Sequence, residues 1–127
     1  MPDPADCRFT ESHEWFAVDG GVVTVGITSY AANELTDITY VEMKPPGTTV
    51  APGESLGEVE SVKTASDVYA AIGGEIVEVN AALAEDPSLV NSDPFGSGWL
   101  VKIRSTDTTP LESLLDRASY DKAYPAG

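Results

Sequence analysis

Apolar and polar residues alternate in short runs along most of this chain, and the runs are cut by glycine, proline or Asp-Gly pairs. Phe9 to Val18 carries Trp15, Phe16 and Val18 and stops at Asp19-Gly20-Gly21. The β-branched run from Val22 to Ile27 follows, so the pair predicts a hairpin. Thr28 to Leu35 predicts a helix capped by Thr28 or Ser29, with Tyr30, Ala31 and Leu35 on one face. Alternation returns over Ile38 to Met43, ended by Pro45-Pro46-Gly47, and a turn at Pro52-Gly53 precedes two further strands on either side of Lys63. Gly73-Gly74 predicts another hairpin turn, and Glu75 to Val79 alternates cleanly. Asn80 to Glu85 predicts one helical turn, and Asp86 is placed to cap a helix with Pro87 at its first position. A turn-rich loop from Asn91 to Gly98 then leads to a last strand, Trp99 to Ile103. Residues 1–8, with Pro2 and Pro4, predict a loose arm. Residues 108–127 predict a helical tail with Leu111, Leu114 and Leu115 at helical spacing behind Thr108 or Thr109. Many short strands with helices confined to small pieces predict one all-β domain over residues 1–127, a sandwich or barrel with helical additions.

Seven basic against 21 acidic residues give a net charge of -14. Such a field repels phosphate backbones and anionic lipid, so neither nucleic acid nor a membrane surface is an expected partner. It suits docking onto basic protein patches, and it equally serves plain solubility. No apolar run approaches the roughly 20 residues of a spanning helix. The first residues, Met-Pro-Asp-Pro-Ala-Asp, lack the basic and apolar regions of a secretory signal. A cytoplasmic location is therefore expected, or an organelle matrix if a transit peptide has been removed. The lone cysteine, Cys7, permits no internal disulfide and is expected to be inert.

An enzyme centre is hard to assemble from this inventory. His13-Glu14 begins like a zincin helix motif, but Ala17 stands where the second histidine belongs, and the chain holds one histidine and one cysteine in all. No serine sits in a Gly-x-Ser-x-Gly elbow, and no glycine-rich segment has a phosphate-cradling pattern. Lys63 is the exception. Val59 and Val62 alternate with Glu58, Glu60 and Ser61 before it, and Ala65, Val68 and Ala70 with Ser66, Asp67 and Tyr69 after it. A lysine at that join stands at a hairpin tip, far from any core, where another enzyme can reach and acylate it. From spacing alone an ordinary surface lysine fits as well.

Five blocks resemble the H-protein of the glycine cleavage system, in that family's order and over about residues 8 to 104: Phe9–Trp15, Val25–Ala31, Glu60-Ser61-Val62-Lys63, Gly74–Asn80, and Leu89–Phe95 with Gly98-Trp99-Leu100. The tail resembles the family's C-terminal helix more loosely. The resemblance implies a lipoyl-bearing barrel-sandwich hybrid of two small antiparallel sheets, with lipoate in amide linkage to Lys63 and no catalytic residue of its own. It implies three partners in glycine catabolism: the P-protein (glycine decarboxylase), the T-protein (aminomethyltransferase) and the L-protein (dihydrolipoyl dehydrogenase). A lipoate ligase or lipoyl transferase would load the lysine. Biotin carriers set their lysine between methionines, where this chain has Val62 and Thr64, and 2-oxoacid dehydrogenase lipoyl domains usually place Asp before it.

By the same resemblance, Glu14 lines a cleft that shelters the loaded arm, with Ser12, His13 and Asp67 as further cleft or docking candidates. A solvated strand residue is the equal alternative for Glu14, and a structural hydrogen bond for His13. Tyr69 is a further cleft or docking candidate. Glu58, Glu60 and Asp67 flank the tip, either for the lipoylating enzyme to read or simply for solubility, and Trp15 and Trp99 are expected in the core or cleft wall. A carrier that visits several partners is expected to be a monomer. Two other functions fit the same motifs, an H-like protein in lipoyl relay or signalling and a non-lipoylated interaction module. The chain departs from the family at Thr36, where a glycine is common, and at Ala71, where a proline is common. A positive φ at Thr36 would be strained. The tip has no Gly or Asn, the residues a tight primed turn demands.

Overall fold

Residues 7–10, 12–105 and 109–123 are described by the computed structural model. Their strands fall into two antiparallel sheets. The larger contains β1 (Arg8–Phe9), β2 (Glu14–Asp19), β3 (Val22–Ile27), β5 (Thr49–Val50), β8 (Gly74–Val79) and β9 (Val101–Arg104), in the order β1-β2-β3-β9-β8-β5. The smaller is β4 (Ile38–Met43), β6 (Ser55–Ser61) and β7 (Ala65–Tyr69), in the order β4-β6-β7. Short helices fill the connections: α1 (Ser29–Leu35), α2 (Ala82–Glu85), α3 (Leu89–Ser92) and α4 (Arg117–Ala123). The expected hairpin is β2–β3, closed at Asp19↔Val22. Thr28 caps α1 as expected, its hydroxyl accepting from Ala31 N.

One apolar cluster joins the two sheets: Val23, Val25, Ile76 and Ile103 from the larger, and Leu56, Val59 and Val68 from the smaller, all at 1% exposure or less. Burying each such side chain contributes about 1.5–3 kcal/mol, so the sheets stabilise each other face to face. A second cluster is aromatic: Phe9, Trp15 and Tyr120, with Cys7. Trp15 lies across Gly26, its partner in β3, where an added Cβ would come within 2.6 Å of the indole. Its Nε1–H donates to Pro94 O at 3.0 Å.

The chain departs from its pattern in five places. Of the expected arm, residues 1–6 lie outside the described residues, and Cys7 is buried while Arg8 already pairs with Phe16. Gly73-Gly74 is a crossover between the sheets, not a hairpin turn. Gly74 passes so close to Arg104 O that a Cβ would meet it at 2.3 Å. Asp86 closes α2 instead of capping the next helix, which starts two residues beyond Pro87. In the tail, residues 108 and 124–127 lie outside the described residues. Thr109–Ser113 is a 3₁₀ helix, and Leu115 pairs with Phe9 through two backbone bonds of 2.8 and 3.0 Å. That pairing uses up the leucines' helical spacing, and the true α-helix, α4, comes after it. The last strand begins at Val101, because Asn80 takes the Trp99 carbonyl with its side-chain amide at 2.8 Å.

Candidate functional site

Lys63 stands at the tip of the β6–β7 hairpin, in the exposed segment Val62-Lys63-Thr64. The turn that glycine or asparagine would ordinarily supply is made by Ser61. Its Oγ accepts from Lys63 N at 3.1 Å and Thr64 N at 3.0 Å and donates to Thr64 O at 3.0 Å. Ser61 N donates to Thr64 O at 2.8 Å and closes the ladder. Serine hydroxyls commonly stand in for a backbone turn in this way. The tip leans on the loop after α1, with Val62 N donating to Asp37 O at 3.1 Å and Lys63 Nζ to Glu34 O at 3.5 Å. Val62 is 68% exposed.

That supporting loop is strained. Thr36 holds φ 66° and ψ -140°, a conformation costly for a β-branched residue and the geometry that its departure from the family pattern implies. Asn91 from α3 secures it, donating from Nδ2 to Thr36 O at 2.7 Å and accepting from Ile38 N at 2.9 Å.

Glu14 is at the start of β2 and only 1% exposed, so it is no solvated strand residue. Its Oε1 accepts from the hydroxyls of Thr10 and Ser12, each at 2.5 Å, and its Oε2 accepts from Tyr69 N of β7 at 3.2 Å. Thr10 Oγ1 also accepts from Glu14 N at 3.0 Å. A buried carboxylate requires such partners. It thereby ties the larger sheet to the strand that leaves the lysine tip. His13, the preceding residue, has φ 70°. Its Nδ1 is 2.8 Å from Tyr120 Oη, and its ring lies 4.5 Å from that of Tyr30 in α1. Burial pushes the His13 imidazole below its ordinary pKa, against the opposing pull of the Glu14 and Glu34 carboxylates.

Ser12, His13 and Glu14 thus form one group, and α1 connects it to the tip, with Tyr30 against His13 and Glu34 beneath Lys63 one helical turn later. Asp67 is not in this group. It is exposed on the outer face of the smaller sheet, where Glu42, Glu58 and Asp67 are direct neighbours across the three strands. With Met43, Lys44, Pro45, Ser55 and Gly57 they line an open groove of about 470 Å³. Like charges opposed in this way destabilise a sheet. Asp67 is linked to the Glu14 group through Tyr69, whose hydroxyl donates to Asp67 Oδ2 at 3.4 Å and whose backbone N donates to Glu14 Oε2. Among the described residues, no three His, Cys, Asp or Glu side chains are grouped to hold a metal ion. No helix among them is long and apolar enough to cross a membrane.

The family model of the glycine cleavage H-protein matches residues 7–126. The chain belongs to the glycine cleavage H-protein family. It is 48% identical to the glycine cleavage system H protein of Thermus thermophilus over 122 residues, covering 96% of this chain and 95% of that one. It is 50% identical to the protein of the same name from Laribacter hongkongensis over 120 residues, 94% of each. The crystal structure of a glycine cleavage system H protein from Mycobacterium marinum superimposes with a TM-score of 0.87 at 41% identity, covering 97% of this chain and 99% of that one. The two packed sheets are the barrel-sandwich hybrid expected of the family, which is the carrier component of its system.

Four contributors to the site were not foreseen from the sequence: Ser61, Thr10, Thr28 and Tyr120. A serine three residues before Thr64 is the local signal for the first. Tyr120 meets His13 across 107 positions and leaves no local signal at all.

Proposed function

We propose that Lys63 takes lipoate in amide linkage on Nζ and that the protein carries the aminomethyl group of glycine from the P-protein to the T-protein. The L-protein then resets the carrier. The observation that supports this is the tip itself. Lys63 is exposed at the tip, Ser61 gathers the two amides of its turn, and among the described residues its ammonium has no carboxylate within ion-pair distance. A lipoate ligase or lipoyl transferase therefore breaks no ion pair to reach Nζ. When bound, lipoate supplies the dithiolane sulfur that carries the aminomethyl group.

The chain's own residues do the rest. Amide formation at Nζ removes a positive charge from the tip. Glu14, held by Thr10, Ser12 and Tyr69 N, presents a fixed carboxylate to the cationic amine of the cargo, with His13 beside it. Glu42, Glu58 and Asp67 supply an acidic face for partners with basic surfaces, so docking weakens as salt rises. The chain contributes no catalytic residue, and it works as a cytoplasmic monomer.

Intact mass after expression with lipoate and a lipoate ligase tests this reading. One lipoyl increment on Lys63 is expected, and Lys63→Arg should abolish both the increment and glycine turnover with the three partners at unchanged Tm. An unmodified wild-type chain overturns it.

A further inference from the structure

We propose that Tyr120 is a positioning residue for the cargo site: its hydroxyl, set between His13 and Thr28, fixes the tautomer and pose of His13 and through it the turn that carries Glu14. This rests on the reading that Glu14 meets the cargo amine. Tyr120 is 1% exposed on α4, its ring stacked on Phe9 at a centroid distance of 4.8 Å. Its Oη lies 2.8 Å from His13 Nδ1 and 2.7 Å from Thr28 Oγ1. Thr28 is fully buried, and its hydroxyl oxygen accepts from Ala31 N at the start of α1. In the arrangement proposed, the Thr28 proton points at Tyr120 Oη and the tyrosine proton at His13 Nδ1. The imidazole is then neutral, with its proton on Nε2. Burial of His13, which disfavours the imidazolium, agrees with that form.

The pose matters because the backbone at His13 is in the left-handed region, at φ 70°. Two backbone bonds hold it there, Thr28 N to His13 O at 2.9 Å and His13 N to Thr10 O at 3.0 Å, and the imidazole–Tyr120 contact holds the side chain. Thr10 and Ser12, on the same turn, are the two hydroxyls that grip the Glu14 carboxylate. The C-terminal helix thus reaches the cargo site without touching it. Glu14 and Glu34 are the charged groups that act on the His13 ring.

The chain has one histidine, so ¹⁵N NMR of the full-length lipoylated protein reads His13 without assignment. The wild type should show unprotonated Nδ1 and protonated Nε2. Tyr120→Phe, which keeps the ring and removes the hydroxyl, should move both signals toward a tautomer mixture. Thr28→Val should do the same from the other end, and Thr28→Ser should restore the wild-type signature. In parallel, carrier loaded by the P-protein is followed without T-protein for hydrolytic release of formaldehyde and ammonia. Tyr120→Phe should speed release severalfold, and Glu14→Gln at least as much. Unchanged ¹⁵N signals in folded Tyr120→Phe overturn the proposal. So does an unchanged release rate where Glu14→Gln accelerates it. If Glu14→Gln itself has no effect, the reading of Glu14 falls and the positioning role falls with it.

Discussion

Two hairpin connections in this molecule use a side-chain hydroxyl in opposite ways. At the lysine tip, Ser61 gathers two exposed backbone amides, and the side chains of Val62, Lys63 and Thr64 stay exposed. Between β1 and β2, Thr10 and Ser12 surround a buried carboxylate that also holds an amide from β7. The first connection costs the fold almost nothing to alter. The second is a network built around a buried carboxylate, which needs its hydroxyl and amide partners because water does not reach it. An accessible tip and a turn that must hold a buried carboxylate have opposite requirements, and here the same chemistry meets both because burial differs.

The contrast is open to attack by mutation. Glu14→Ala should have the largest effect, since it removes the acceptor shared by the Thr10 and Ser12 hydroxyls and the Tyr69 amide and leaves a hole where a buried side chain stood. A loss of about 1–3 kcal/mol is expected, read as a fall in Tm of roughly 5–15 °C. Thr36→Gly should do the opposite on a smaller scale. Relief of the φ 66° threonine should raise stability by about 1 kcal/mol, and lipoylation at Lys63 should proceed at its normal rate because Asp37 O still receives Val62 N. Ser61→Ala should have the smallest effect, about 0.5 kcal/mol or less, with faster amide exchange at Lys63 and Thr64 as its visible sign. A Tm loss for Ser61→Ala as large as that for Glu14→Ala would erase the distinction between the two connections.

Much of the first connection was legible in the sequence and little of the second. Alternation from Glu58 to Ala70 predicts two strands, and strand pairing is local there, so Lys63 falls at the tip with no tertiary information. Thr36 was legible only through the resemblance, because the family's glycine marks a positive φ that threonine itself does not advertise. Glu14 was not. Its burial depends on Tyr69, 55 positions away, and its neighbour's pose on Tyr120. The tail leucines misled for the same reason. Their spacing suits a helix, but the edge of β1 offered Leu115 two backbone bonds, and a distant edge outweighs local propensity. Asp86-Pro87 carried a good start signal that the end of α2 had already claimed.

The strand order also sets a schedule for synthesis. β3 is bordered by β9, Val23 opposite Ile103, so the larger sheet stays open until nearly the whole chain has left the ribosome. The lysine hairpin is made long before, but Val59 and Val68 on its inner side have no wall to pack against until that sheet closes. A lone hairpin of this kind is marginal in water. The tip lysine is therefore synthesised well before it takes its final shape, and an enzyme that recognised the shaped tip would load only finished molecules.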